Sequence, residues 1–145
     1  MLDKMKTLVK EHDMCVLATV SDNRPHCSLM AYVTNDDSTE IFMVTFKDTK
    51  KYRNLRENLW VSLLIDTREE DRASRRSRAK ALTITGKFEQ IQDENLRRQI
   101  REALIRRHAQ LESFANHPDA EVFSIRIHSF LLLDGLTNSH FETLV

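Results

Sequence analysis

Residues 14–46 read MCVLATVSDNRPHCSLMAYVTNDDSTEIFMVTF, and the alternation of apolar runs with turn residues in this stretch decides the fold. Met14 to Val20 is apolar and β-branched, the composition of a buried strand. Ser21-Asp22-Asn23-Arg24-Pro25 is turn chemistry, with Pro25 opening the next element. Residues 26–34 then alternate. Cys27, Leu29, Ala31 and Val33 fall on one side; His26, Ser28, Met30, Tyr32 and Thr34 fall on the other. Asn35 to Ser38 is a second turn, and Ile41 to Phe46 is a third strand. Strands that follow one another through turns this short pair antiparallel.

The pattern extends in both directions. Leu2, Met5, Leu8 and Val9 share one helical face, so residues 2–12 read as a short amphipathic helix. A second short helix runs from about Thr49 to Asn58, followed by the strand WVSLLID over 60–66. Residues 67–78, TREEDRASRRSR, are polar without period and read as an exposed loop. Strict alternation resumes from Ala79 to Gln90. Asp93 caps a helix with the stripe Leu96, Ile100, Leu104 and Leu111. Pro118-Asp119 ends a short helical stretch, Val122 to Asp134 is a long last strand, and Gly135 turns the chain into a tail. The expectation is a mainly β (β+α) single domain over 1–145, a six-stranded antiparallel barrel with two or three appended helices. A parallel doubly wound sheet would need a helix after nearly every strand.

Composition narrows the function. Lys+Arg and Asp+Glu are both 22, so the net charge is zero, unlike a chain built to coat nucleic acid or an anionic membrane. With two glycines, Gly86 and Gly135, neither a dinucleotide fingerprint nor a Walker loop can be written. Cys15 and Cys27 form no CxxC and are expected to be small buried hydrophobes, which fits a reducing cytoplasm. No apolar run approaches the length of a membrane span, and the start MLDKMKTLVK has no signal-type apolar core.

The segment TFKDTKK (45–51) carries the most chemistry, because it lies where a strand ends and a helix begins. Thr49 is a natural N-cap, and free amides at a helix start favour an anion. Lys50 and Lys51 bring two ammonium groups to the same end, and Thr45 adds a hydroxyl. Cations at a helix N-terminus oppose its dipole, at a cost of about 0.3–1 kcal/mol that a bound phosphate would reverse. The competing reading is a solvated basic helix face.

In combination, LATVSDNRPHCSLMAYV, IFMVTFKDTKKYRNLRENLWVSLLID and ALTITGKFEQI resemble the pyridoxamine 5′-phosphate oxidase-like family of FMN-binding split barrels, over about residues 12–92. The resemblance implies a split β-barrel that forms a homodimer with FMN at the subunit interface. Carried over by position, Thr45, Thr49 and Lys51, with Lys50 adjacent, would bind the FMN phosphate. Ser28, Leu29 and Met30 would lie along the isoalloxazine ring, largely through backbone groups, with the His26–Tyr32 face covered by flavin and second subunit. Lys80 and Ala81 would approach from the partner. The resemblance stops at the substrate. The true oxidases have arginine about where Ser28 stands and glutamine about where Ala81 stands, and they hold the substrate phosphate with basic residues near the C-terminus. Here no Lys or Arg follows Arg126. The expected function is therefore an FMN-dependent oxidoreductase acting on a small molecule, with NAD(P)H as a candidate donor and catalytic residues unassigned.

Alternatives from other classes remain. Related barrels bind deazaflavin or haem, and Thr45, Thr49 and Lys51 suit any phosphate-bearing flavin. A non-enzymatic binding module is a further reading. His26 could donate a proton or simply be a satisfied polar group. Tyr32 and Trp60 read as packing. Arg68, Arg72, Arg75, Arg76 and Arg78 could make the 67–78 loop a lid over an anionic ligand or a solvated loop. Arg97, Arg98, Arg101, Arg106 and Arg107 read as the outer face of their helix.

Overall fold

The computed structural model describes residues 1–70 and 79–145. Its strands are β1 (Met14–Ser21), β2 (Arg24–Ala31), β3 (Val33–Thr34), β4 (Glu40–Phe46), β5 (Trp60–Asp66), β6 (Lys80–Gln90), β7 (Ala120–Asp134) and β8 (Asn138–Thr143). Its helices are α1 (Leu2–Glu11), α2 (Lys50–Glu57), α3 (Glu94–Arg107) and α4 (Glu112–Ala115), with a 3-10 turn at Ala109–Leu111 before the last.

All pairings are antiparallel, in the order β2-β1-β5-β6-β7-β4-β3, with β8 also on β7. The two ends of that order, β2 and β3, are separated in sequence only by Tyr32. A sheet whose end strands are one residue apart cannot lie flat, so it rolls into a half-closed barrel. Two local features make this possible. The β1–β2 turn places both Asp22 (φ 50°) and Asn23 (φ 62°) in the left-handed region, as a two-residue hairpin of matching twist requires. On β7, the register slips between Thr85 and Gly86, leaving His128 as an extra residue that bends the strand.

The interior holds Leu17, Tyr32, Ile41, Met43, Phe123 and Phe130, all fully buried. A second cluster lies outside the barrel wall, where Ile100 and Leu104 of α3 cover Phe42, Val44 and Val122. That is why β4 is an unbroken apolar run: both of its faces are covered.

The mainly β architecture, the antiparallel barrel and the helix positions match the sequence reading; the strand count is eight rather than six. The expected 26–34 strand divides at Tyr32, whose amide donates to Asp13 O (3.0 Å) as the chain leaves β1 for β4. The tail after Gly135 (φ 76°) returns as β8. Its mostly polar, exposed residues carry no apolar alternation to announce a strand.

The two faces of the 26–34 stretch are also exchanged. Met30 and Tyr32 point into the core, where the Tyr32 hydroxyl donates to Val9 O at 2.6 Å and so can be buried without loss. The outward face carries Cys27, exposed rather than buried as expected, and Leu29, which is 71% exposed. Cys15 is buried, and burial pushes its thiol up to about 12, which keeps it protonated and inert.

Candidate functional site

The site is assembled at the start of α2. Thr49 is the N-cap in an extended conformation, and its hydroxyl accepts from Tyr52 N (3.2 Å) while donating to Phe46 O (3.0 Å). The capping role read from the sequence is therefore present, and it commits the Thr49 proton to the backbone. The Lys50 and Lys51 amides lie in the first turn, where a helix supplies no acceptor.

The basic residues of this stretch differ in their pairing. Arg53 meets Asp48 at 2.9 Å, and Lys47 lies 3.7 Å from Glu121. Lys50, Lys51 and Arg56 have no carboxylate partner among the described residues. Lys51 is half-buried, and that burial lowers its pKa from the ordinary lysine value. A partly desolvated ammonium without a counter-charge is an unfavourable arrangement on its own. Thr45, 1% exposed, stands opposite Glu121 in the β4–β7 register.

The helix is held firmly under these groups. Leu55 and Tyr52 are buried, and Asn54 Nδ2 donates to Thr19 Oγ1 (3.1 Å), both within the protein interior. The Ser21 hydroxyl donates to the Glu57 carboxylate. Tyr52 packs edge-on against Phe88 at 6.1 Å and accepts from Gln90 Nε2 at 3.4 Å. Thr19, Asn54 and Glu121 were not singled out from the sequence. A lone polar residue in a strand or helix gives no sign that its partner lies 35 residues away, as Asn54 does from Thr19.

The remaining expected site residues sit apart from this cluster. Ser28 is opposite Leu17 and partly buried, Met30 is opposite Cys15 in the core, and Leu29 projects outward. Their strand, β2, ends the hydrogen-bonding order, so half of its backbone groups face away from the sheet, as contact through backbone atoms would need. Lys80 starts β6, with Nζ 3.9 Å from Asp134 and its backbone bonded to Thr67. The 11 residues of β6 span about 35 Å. Gln90, beside Tyr52, marks the end near α2, so Lys80 lies at the far end and does not join Thr45 and Lys51 within one chain.

The outward faces form a continuous surface. By register, Leu29, Val16, Leu64, Thr83, Leu131 and Phe141 make one row across β2, β1, β5, β6, β7 and β8. Four of the six are exposed large apolar side chains, with Phe141 at 63%. Beside the row is a groove floored by Ala18, Ser62 and Thr85 and walled by Pro25 and Trp60. Trp60 is 45% exposed, with Lys87 Nζ 5.2 Å from its ring centre and the His128 ring edge-on at 5.3 Å.

Two of the α3 arginines read as outer-face residues also bind back onto the protein, Arg107 while staying exposed and Arg97 while partly buried. Arg107 donates to Lys10 O (3.1 Å) and His12 O (2.7 Å), closing the end of α1, and Arg97 reaches Glu121 at 2.5 Å. Of the 67–78 loop, residues 71–78, with Arg72, Arg75, Arg76 and Arg78, lie outside the described residues. Arg68 pairs with Asp66 at 3.1 Å and Glu70 meets His12 at 2.9 Å. No helix among the described residues is long and apolar enough to cross a membrane.

Residues 1–134 match the family model for pyridoxamine 5′-phosphate oxidase. No curated protein matches the chain. Among solved structures, a haem-binding protein from Mycobacterium smegmatis superposes with a TM-score of 0.84 at 18% identity, covering 97% of this chain. This chain spans only 56% of that protein. The haem storage protein HutZ from Vibrio cholerae gives 0.74 at 21% identity, covering 92% of this chain and 93% of its own. An FAD-binding protein from Mesorhizobium loti gives 0.74 at 16% identity, covering 91% and 93%. At these identities the likeness is one of fold, and it spans proteins of two cofactor chemistries.

Proposed function

For a chain that belongs to the pyridoxamine 5′-phosphate oxidase family, we propose the role of an FMN-binding oxidoreductase that works as a homodimer with the flavin between its subunits. The observation that carries this reading is Lys51, a half-buried ammonium without a counter-charge among the described residues, beside a capped helix start. A phosphate supplies the missing charge, and Thr45, buried at the end of β4, adds a hydroxyl nearby in sequence. These residues fit the phosphate of FMN. Lys50 and Lys51 would hold it by charge and by their backbone amides, and the Thr49 cap fixes where those amides point.

The β2 segment Ser28–Met30 would support the flavin ring along its free backbone edge, and Lys80 would reach it from the second subunit. That assignment accounts for the separation between Lys80 and Lys51 within one chain. The apolar row from Leu29 to Phe141 is the surface the second subunit would cover. FMN, when bound, supplies hydride and electron transfer; the chain's residues bind it, orient it and shield it from water. A reduced nicotinamide would be the electron donor. Pyridoxamine 5′-phosphate is not the proposed substrate, because Ser28 and Ala81 stand about where the resemblance places the true oxidases' arginine and glutamine.

A second reading, haem in place of flavin, is favoured by the mycobacterial and Vibrio proteins of the same fold. Reconstitution separates the two. Protein incubated with FMN and desalted should retain flavin absorbance, and Lys51→Ala should lose it. Retention of haem with no retention of FMN would replace the first reading with the second.

A further inference from the structure

Glu121 is an anomaly in a segment assigned to an anion. It is buried, it stands opposite Thr45 in the β4–β7 register, and it lies 3.7 Å from Lys47, two residues before the Thr49 cap. A buried carboxylate so placed repels a phosphate at 45–51 unless another group cancels its charge. The group present is Arg97 of α3. Its Nη1 lies 2.5 Å from Glu121 Oε1 and 3.3 Å from Ile91 O, while its buried Nε has no hydrogen-bond partner and lies 3.5 Å from Glu94. Arg97 thus comes from a helix remote in sequence to a carboxylate at the rim of the barrel. Lys47 is mostly exposed and takes the other oxygen at a looser distance. The strand is also tied here, since Lys47 N donates to Asp119 O at 3.0 Å.

We propose that Arg97 and Glu121 are positioning residues that set the phosphate affinity of the 45–51 segment, Arg97 by cancelling the Glu121 charge and Glu121 by drawing Lys47 away from the ligand. This rests on the reading of 45–51 as a flavin-phosphate site. The two residues act in opposite directions on one ligand group, although losing either one breaks the same ion pair. Without Glu121, Lys47 is free to turn toward the phosphate and the local field becomes more positive. Without Arg97, the Glu121 carboxylate is left uncancelled with Lys47 as its remaining cationic partner, and it opposes the phosphate.

The test compares FMN with riboflavin, which has the same ring and no phosphate, on folded wild-type, E121Q, R97Q and R97Q/E121Q protein at low and high salt. In E121Q the amide oxygen still accepts from Arg97, so the packing is kept. The expected result at low salt is FMN affinity raised about fivefold in E121Q, lowered about fivefold in R97Q and near wild type in the double variant. Both single-variant shifts shrink as salt is added. Riboflavin affinity should be the same in all four proteins. If E121Q weakens FMN as R97Q does, or if riboflavin moves in parallel, the pair only braces the fold and the proposal fails. Should R97Q not fold, the sign of the E121Q effect decides alone. A wild-type protein that binds FMN no better than riboflavin overturns the phosphate reading itself, which a wrong sign in E121Q does not.

Discussion

At the scale of single residues, Lys51 is the most informative position, because its setting is unfavourable for the folded chain and favourable for a ligand. Burial lowers its pKa and no carboxylate among the described residues offsets that burial. Lys51→Met should therefore change unfolding free energy by no more than about 0.5 kcal/mol while lowering FMN affinity at least tenfold, measured by thermal unfolding and by titration. Loss of stability together with binding would assign Lys51 to the fold instead. A pH profile gives an independent check. The ammonium charge is present below its lowered pKa and lost as pH rises through it, so FMN affinity should decline on the alkaline side, earlier than an ordinary lysine would give. Lys51→Arg should keep its affinity flat over the same range. Much of this was legible locally: Thr49 as a cap and Lys50 and Lys51 beside it are neighbours in sequence, so their meeting needs no tertiary knowledge. Glu121 and Arg97 were not legible, since a basic residue on a polar helix reads as solvated until the strand beneath it is known.

At the scale of elements, two features set the geometry of the site: the cap of α2 and the bend in β6 and β7. Thr49→Ala removes the hydroxyl that accepts from Tyr52 N and should cost about 1 kcal/mol, with flavin affinity falling as the first-turn amides lose their fixed direction. The bend depends on Gly86. A Cβ there would stand 2.7 Å from Ile125 Cγ2 and 2.8 Å from the Arg126 carbonyl oxygen, a backbone atom that cannot swing aside. Gly86→Ala should destabilise by about 1–3 kcal/mol in a denaturant titration, and an unchanged midpoint would mean that the strands separate there without cost. Apolar, β-branched runs at 14–20, 41–46 and 60–66 located the strands to within a residue, because one face of each, or both, is packed. The same reasoning reversed the faces of 26–34. It put the His26–Tyr32 face outward, under flavin and a second subunit, whereas Val9 O accepts the Tyr32 hydroxyl in the interior. It also left 138–143 as a tail, since that edge strand buries little and so carries no pattern.

At the scale of the whole molecule, the outward row from Leu29 through Leu64 and Leu131 to Phe141 is the feature a lone protomer leaves unexplained. If a second copy covers it, Leu64→Glu/Leu131→Glu should keep the far-ultraviolet circular dichroism of the folded chain, sediment as a monomer and release bound flavin. A variant that stays dimeric would place the interface elsewhere. Barrel and helix order could be read from the chain because neighbouring strands pair through short turns. The row could not, because it exists only once six strands are in register. The central claim is that this barrel holds a flavin by its phosphate at residues 45–51. Its most direct test is the visible absorption spectrum of the purified protein, before and after FMN is added and the sample desalted. The account predicts a flavin spectrum that survives desalting in the wild type and is lost in Lys51→Ala. A protein that emerges colourless from the FMN incubation, or that shows a haem spectrum and takes up no flavin, would contradict it.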